Sequence, residues 1–367
     1  MRSLERSTLR ESLAESISRI AAAYGFSSPP VTVSRKAVSD TGNSDFMTAV
    51  QTALISSQPQ AKTPTQVWAS ARKGSGTTIV FSILGARHAI AHAMVVKTAL
   101  SVAETAGFTD LTVQISSIGD HESRRRFTRE LASFFKKNNE ALEPELRAVA
   151  AQDPDKAYHT LVSSDLPLRE RLPRPIDYLS ENSRKIMVDT IALFESVGIQ
   201  YDLESHLSTS PSVHAELVFA ITGTNKKGER SVIAKGGRFD ELIKKKDKTP
   251  QGHATSMALT VPQDVRPDEA VGQPACFVVH VGDAAKLRAF TLLEALWRAN
   301  IAVREALMAE SLREQMDKAK LERVPYVAII GQREALDGTV LLRNTSSALQ
   351  SSVPKDKLVK ELTRNRH

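Results

Sequence analysis

The chain has almost no cysteine: its one thiol, Cys276, leaves no partner for an intrachain disulfide and no set for a cysteine-based zinc cluster. It also lacks an apolar run long enough to cross a bilayer, and its first residues lack the apolar core of a signal peptide. These absences exclude a disulfide-stapled domain and a membrane-spanning protein. We therefore expect a cytoplasmic protein with no membrane contact.

Common catalytic signatures are missing as well. The chain contains no Gly-x-x-x-x-Gly-Lys-Ser/Thr phosphate loop, no Gly-x-Ser-x-Gly nucleophile elbow and no metal-spaced His/Asp cluster. His88 and His92 lie one helical turn apart, but without a third ligand nearby they indicate a surface or packing role. We expect no bound metal.

Length and charge set broad limits on the protein. At 367 residues the chain has room for two domains and a small insertion. Its 41% hydrophobic and 25% charged residues are typical of a globular protein. Lysine and arginine exceed aspartate and glutamate by 49 − 42 = 7 residues, an excess that is compatible with a polyanionic partner such as RNA.

The most informative stretch covers residues 231–243. Residues 232–234 are apolar and predict a short buried strand, and the apolar residues from Phe239 onward recur at helical spacing. The pattern places Gly236 and Gly237 at a strand-to-helix turn. Adjacent glycines at such a turn allow positive φ and let backbone N–H groups approach a ligand closely.

Four stretches carry a resemblance to a known family. The run from residue 235 to residue 242, Lys-Gly-Gly-Arg-Phe-Asp-Glu-Leu, resembles the signature near the histidine pocket of histidyl-tRNA synthetases. Residues 111–120, a strand that ends in Ser-Ile-Gly-Asp, resemble that family's segment ending in Asn-Ser-Leu-Gly-Asp. Residues 121–200 resemble its helical insertion, and residues 273–345 resemble a class IIa anticodon-binding domain.

The resemblance implies a fold and a division into domains. The implied fold class is an α+β, class II aminoacyl-tRNA synthetase-like antiparallel-sheet core with a helical insertion, plus a C-terminal α/β anticodon-binding-like domain. The expected units are core residues 1–120 and 201–265, insertion residues 121–200, and C-terminal residues 273–367. A Pro- and Gly-containing polar linker separates the core from the last unit.

Hydrophobic periodicity and turn residues predict the local structure. In the core and insertion they predict helices over 5–25, 46–55, 89–106 and 122–137, with strands over 31–33, 66–71, 77–84 and 111–116. In the C-terminal unit they predict strands over 277–281, 301–304, 326–330 and 340–344, with helices over 284–299, 311–323 and 355–363. This alternation implies a small mixed or parallel sheet with helices on its faces.

The resemblance also implies a relic substrate pocket. An alignment on the shared Val218 and Phe219 places Thr209 at the family's catalytic arginine, Ser212 at its aspartate and His214 at a tyrosine. The full implied pocket set is Arg72, Thr209, Ser212, His214, Gly236, Gly237, Arg238 and Asp240. Two interpretations of this pocket remain open. Either Pro211, Val213 and Phe219 repack it, or it binds a small ligand at His214 and Glu216.

The phosphate-binding arginines of the family have poor counterparts here. Arg72 can stand at the second-motif arginine, but no glutamate follows it. The third motif, Gly-Leu-Glu-Arg in the family, reads Ala-Leu-Thr-Val here, so Val261 replaces the arginine. Charge on a transferring phosphate needs a fixed cation, which valine cannot supply. We expect no catalytic residue.

Together these residues predict a catalytically inactive histidyl-tRNA synthetase-like paralogue. We expect it to bind tRNA or other structured RNA or to act as a regulatory subunit with a protein partner, and to form a homodimer through its first helix and the strand that follows. We expect no cofactor, with ATP and Mg²⁺ used only if residual synthetase activity survives. Two alternatives stay open: a regulatory subunit of ATP phosphoribosyltransferase and an active histidine-tRNA ligase.

Overall fold

The computed structural model describes residues 12–27, 30–42, 45–58, 64–86, 88–207, 214–247, 253–265, 273–309 and 311–364. Within these ranges the helices before residue 250 are α1 (Leu13–Ala23), α2 (Arg35–Ser39), α3 (Phe46–Ser57), α4 (Ala89–Ala106), α5 (His121–Lys137), α6 (Pro144–Gln152), α7 (Pro154–Val162), α8 (Glu181–Ser196) and α9 (Asp240–Asp247). The strands are β1 (Thr65–Lys73), β2 (Gly76–Leu84), β3 (Thr109–Gly119), β4 (Tyr201–Leu203), β5 (Ala215–Thr224), β6 (Arg230–Arg238) and β7 (Ala254–Val261). Short 3-10 helices cover Asn139–Ala141, Pro167–Arg171 and Pro175–Tyr178.

These strands form one sheet in the order β1-β2-β7-β6-β5-β3-β4. Its pairs are antiparallel except β3 with β4, which is parallel. The predicted strands 66–71 and 77–84 lie in β1 and β2, which form a hairpin with Lys73 opposite Gly76 and Gly74 at φ +62° in the turn. Since β2 and β7 are paired on both sides and buried along almost their whole length, the core is built around this sheet.

Helices cover both faces of the sheet. On one face α4 packs against β7 and is itself covered by α1 and α8, so buried side chains surround it. It ends where predicted, at Gly107 in the left-handed conformation with φ +92°. On the other face α3 packs against β2 and β7 and places Val50, Leu54 and Ile55 in a second apolar cluster.

The helical insertion is confirmed from α5 to α8. Asp120 caps α5, because its Oδ1 accepts a hydrogen bond of 2.9 Å from the Ser123 N–H. The Ser180 hydroxyl, at the cap of α8, donates to Asp120 Oδ2 over 2.8 Å and ties the two ends of the insertion together. The insertion has an apolar cluster of its own around Phe127, Leu131 and Leu161.

A second sheet and its helices form the C-terminal part. Its elements are β8 (Cys276–His280), α10 (Asp283–Arg298), β9 (Val303–Glu305), α11 (Leu312–Leu321), β10 (Tyr326–Ile330), α12 (Gln332–Asp337), β11 (Thr339–Asn344), β12 (Gln350–Pro354) and α13 (Lys355–Arg364). The strand order is β12-β11-β10-β8-β9, with β10, β8 and β9 parallel and β11 and β12 antiparallel. The prediction of a mixed sheet is confirmed.

The two sheets are joined by a buried contact. The ring of Tyr24, after α1, meets the ring of Phe290 in α10 edge-on at 5.9 Å between centroids. Gln66 Nε2 in β1 donates to the Tyr24 carbonyl at 2.9 Å and to Glu305 Oε1 in β9 at 2.8 Å. Polar and apolar contacts thus fasten the C-terminal part to the core.

Several local predictions were wrong. Residues 31–33 do not form a strand: the Val31 N–H donates to the Trp68 carbonyl, and the chain then turns into α2, which the sequence did not predict. α12 and β12 were also missed. Val232 is 43% exposed because it lies near the solvent end of β6. None of the helices in the described ranges combines the length and apolar character that a membrane-spanning helix needs.

Candidate functional site

A buried charged cluster lies where β6 ends and α9 begins. Arg238 and Asp240 are 4% and 5% exposed, and Arg238 Nη2 donates to Asp240 Oδ2 over 2.6 Å. His253, just before β7, places its Nδ1 2.9 Å from Asp240 Oδ2 and 2.6 Å from Arg238 Nη2. The Ala254 N–H donates to Asp240 Oδ1 over 3.3 Å. Hydrogen bonds within the cluster therefore link the side chains of Arg238, Asp240 and His253 to one another.

Burial and charge shift the pKa values in this cluster. Burial raises the pKa of Asp240, but hydrogen bonding from His253 and the positive charge of Arg238 outweigh it, so the pKa lies below its ordinary value. Burial lowers the pKa of His92, on α4, to about 3, and the Arg238 charge acts in the same direction. His92 is therefore neutral at pH 7 and its Nδ1 lies 3.2 Å from the Thr190 hydroxyl.

His214 and Glu216 lie beside the cluster. The His214 ring packs on the Phe239 ring with 4.5 Å between centroids. Glu216 has φ +55°, a left-handed conformation that is rare for glutamate, at a point where β5 shifts register against both neighbours. Its Oε2 is buried with no hydrogen-bond partner among the described residues. Burial raises the pKa of Glu216, because it disfavours the charged carboxylate.

Gly236 and Gly237 do not form the predicted strand-to-helix turn. Both lie inside β6, where Gly236 faces Phe219 and Met257 and Gly237 faces Val218. A Cβ on Gly236 would lie 2.2 Å from the Ser256 carbonyl oxygen, and one on Gly237 would lie 2.5 Å from the Leu217 carbonyl oxygen. Glycine is needed here because neighbouring strands approach closely. The turn follows at Phe239.

Arg72 lies far from these residues. Arg72 pairs with Thr77 of β2, and Thr77 pairs with Val261 of β7. Arg238 pairs with Thr255, which also lies on β7. Positions 255 and 261 are roughly 20 Å apart along a strand. The structure therefore separates Arg72 from His214, Gly236, Gly237, Arg238 and Asp240, which it brings together at the opposite end of the sheet.

A groove of about 920 Å³ lies beside Arg72, between α2, α3 and β1. Arg35 and Arg72 line it. Arg72 Nε, however, forms an ion pair of 3.1 Å with Asp264 Oδ1, and Val261 is fully buried in the apolar core. Of the two positions that the family resemblance assigns to phosphate-binding arginines, one therefore holds an arginine paired with a carboxylate and the other a buried valine, while Arg35 is the other cation in the groove.

Two of the predicted pocket residues, Thr209 and Ser212, lie outside the described residues, as do Pro211 and Val213. Sequence reasoning missed His253, Asp264 and the place of His92 in the cluster. No local signal identified them, because each is distant in sequence from the residue it meets. Among the described residues, no group of three or more His, Cys, Asp or Glu side chains is placed to hold a metal ion.

A basic groove of about 590 Å³ occurs in the C-terminal part, between α11, β10 and β11. Lys320, Arg323 and Arg343 surround it, with Val324 and Val327 at its apolar base. Lys320 Nζ pairs with Asp317 over 3.2 Å, but both side chains are largely exposed, so this pair adds little. The groove presents cations beside an apolar floor.

Comparisons with known proteins agree on one group of relatives. The family model described as "Anticodon binding domain" matches residues 275–365. A protein of Symbiobacterium thermophilum named "Histidine--tRNA ligase" is 26% identical over 290 residues, which cover 77% of this chain and 67% of the relative. A protein of the same name from Fervidobacterium nodosum is 29% identical over 276 residues, covering 73% of this chain and 65% of the relative.

The solved structure of the apo histidyl-tRNA synthetase of S. aureus has a similar fold. Its TM-score is 0.51 at 16% sequence identity, and the match covers 99% of this chain and 100% of that one. At this identity the likeness concerns the fold, and it confirms the predicted antiparallel core with its helices and the C-terminal domain.

Proposed function

We propose that this chain, a histidyl-tRNA synthetase-like protein with a C-terminal anticodon-binding domain, binds tRNA or another structured RNA and does not aminoacylate it. The observation that carries the proposal is at positions 72 and 261. There a buried valine and an arginine paired with a carboxylate occupy the places that the family resemblance gives to phosphate-binding arginines.

Electrostatics explains why this arrangement opposes adenylation. A transferring phosphate gains negative charge that a fixed, unpaired cation stabilises, and removing one such group costs about 10²–10³ in rate. Asp264 Oδ1 lies 3.1 Å from Arg72 Nε, so its negative charge offsets part of the attraction that Arg72 would exert on ATP. Val261 can contribute no charge at all. Arg238 is no substitute, because Asp240 pairs with it inside the core.

RNA binding is supported by the C-terminal domain. The match to an anticodon-binding domain covers nearly all of it, and both sheet and helices are formed. Lys320, Arg323 and Arg343 supply cations for RNA phosphates, and the apolar base of their groove suits an unstacked base. The formal charge of +7 favours the same class of partner.

The test is a binding titration with transcribed histidine tRNA at 50 mM and 150 mM salt. We expect a triple variant, Lys320→Ser, Arg323→Ser and Arg343→Ser, to bind at least tenfold more weakly and to show a shallower salt dependence. The matched control is Arg333→Ser, an exposed arginine of α12 outside the groove. Unchanged tRNA mobility with the wild-type chain at 50 mM salt would count against the proposal.

We also propose that the chain forms a homodimer, has a regulatory protein partner and uses no cofactor. α1 is already enclosed by α4, α10 and β9 of its own chain, so contact between subunits would use other surfaces than the buried face of this helix. Light scattering on the purified chain tests the dimer: a mass near 80 kDa, twice the 40.1 kDa of the chain, is expected and 40.1 kDa would contradict it.

A further inference from the structure

We propose that a cavity between α5, α7 and β3 binds a nucleotide, with Arg125 and Arg129 holding its phosphate and the walls formed by Phe127 and Tyr158 holding its base. The cavity measures about 550 Å³, within the range of small-molecule sites. This proposal goes beyond RNA binding by the C-terminal domain and does not depend on it.

The cations of α5 indicate an anionic ligand. Arg124 and Arg125 lie in the first turns of the helix, where the positive end of the helix dipole disfavours them, and Arg125 and Arg129 are like charges one turn apart. Arg124 pairs with Glu241 over 2.8 Å. Among the described residues, neither Arg125 nor Arg129 forms an ion pair, although Arg129 Nε donates to the Arg125 carbonyl. Within the described residues, no carboxylate therefore offsets the charge of Arg125 or Arg129.

The remaining walls suit an aromatic base. Phe127 and Tyr158 line the cavity and meet edge-on at 5.2 Å between centroids, with Ile118 and Leu207 beside them. Tyr158 is fixed by a 3.0 Å hydrogen bond between its hydroxyl and His206 Nδ1.

The carboxylate of Asp155 lies at the cavity wall, where it can accept a hydrogen bond from the base. Asp155 accepts from the Thr128 hydroxyl over 3.0 Å and keeps further acceptor capacity. Exocyclic amino groups of bases can donate to it, which inorganic phosphate cannot do.

The cavity is separate from the groove at Arg72. Ser116, in the cavity wall, pairs across the sheet with Val218 of β5, which pairs with Gly237 of β6. Gly237 pairs with Ser256 of β7, and Ser256 lies five residues before Val261. The spacing along the strand is roughly 16 Å, and five strand steps across the sheet add roughly 24 Å. A nucleotide here would therefore not use the position that the family resemblance assigns to ATP phosphate.

The experiment is calorimetric titration of the full chain with each of the four ribonucleoside 5′-monophosphates, the matching nucleosides and inorganic phosphate. We expect saturable binding of at least one monophosphate, at least tenfold tighter than its nucleoside or phosphate alone. The double variant Arg125→Gln, Arg129→Gln should lose at least tenfold, and the control Arg126→Gln, whose arginine pairs with Glu122 outside the cavity, should not.

Competition distinguishes a free nucleotide from an RNA end. Short RNA with a 5′-phosphate should displace the monophosphate better than the same RNA with a 5′-hydroxyl if strand ends are the source, and neither should displace it if the ligand is free. No saturable binding of any monophosphate, or an equal loss in Arg126→Gln, would overturn the proposal. Either result leaves tRNA binding by the C-terminal groove testable on its own.

Discussion

Arg238 and Asp240 form an ion pair of 2.6 Å that is almost entirely buried and joins the end of β6 to the start of α9. The resemblance to histidyl-tRNA synthetases placed both residues in a substrate pocket. In the structure they satisfy each other and His253, so their first role is to hold the fold at this end of the sheet.

Asp240→Asn tests that role. Removing one partner leaves the arginine buried without its counter-charge, which costs about 3–5 kcal/mol of unfolding free energy. Because the pKa of Asp240 is lowered in the fold, its stabilisation is present above the ordinary pKa of about 3.9 and is lost as pH falls below it. Urea denaturation at pH 7 and pH 3.5 should show a gap that narrows in acid.

The control for this variant is Asp337→Asn, which breaks the exposed pair with Arg333. It should change the unfolding free energy by less than about 1 kcal/mol. Equal losses in the two variants would mean that the buried pair is not the source of the stabilisation.

Protonation of His92 should give the unfolding free energy a second dependence on pH. Its folded pKa of about 3 lies below the ordinary value of 6.5, so the unfolded chain binds a proton that the folded chain does not. Unfolding free energy should therefore fall as pH drops from about 6.5, by up to about 1.4 kcal/mol per pH unit. His92→Asn should flatten this fall, whereas His121→Asn, at an exposed histidine, should not. Parallel curves for wild type and His92→Asn would refute the assignment.

Gly236→Ala should destabilise the sheet. The added Cβ would meet the Ser256 carbonyl oxygen and Met257 Sδ at 2.2 and 2.6 Å, so β6 and β7 would have to move apart, at a cost of about 1–3 kcal/mol. Thermal unfolding measures the loss. Ser231→Ala, at an exposed position of the same strand, should stay within about 0.5 kcal/mol of wild type. A neutral Gly236→Ala would show that the approach of β7 does not require a glycine at this position.

Gln66→Ala should loosen the contact between the two sheets. The Tyr24 carbonyl and Glu305 Oε1 would lose their shared donor while buried, which costs about 1–3 kcal/mol. We expect a lower melting temperature and faster proteolysis between the core and the C-terminal domain. Gln200→Ala, at an exposed glutamine, is the control. Unchanged proteolysis would mean that apolar contacts such as Tyr24 with Phe290 hold the domains without it.

Elements with local signals were predictable from the sequence. α4 followed from its helical residues and Gly107, and α5 from the capping aspartate Asp120. Long-range pairing was not predictable. Gly236 and Gly237 suggest a turn when considered locally, because what requires them is the approach of β5 and β7 from elsewhere in the chain.

The candidate site shows the same limit. The family resemblance grouped Arg72 with Arg238, but strand register places them at opposite ends of the sheet. Asp264 carries no signal in the sequence, and only the structure shows that it pairs with Arg72. Charge balance at a site depends on such neighbours, which no motif records.

Loss of aminoacylation with retained RNA binding is tested by histidine-dependent ATP–pyrophosphate exchange, run beside tRNA binding on one preparation. We expect no exchange above background while tRNA is bound, because the two family positions offer the transferring phosphate only Val261 and an arginine paired with Asp264. Exchange that requires histidine would contradict it and would mean that a cation from elsewhere in the chain completes the site.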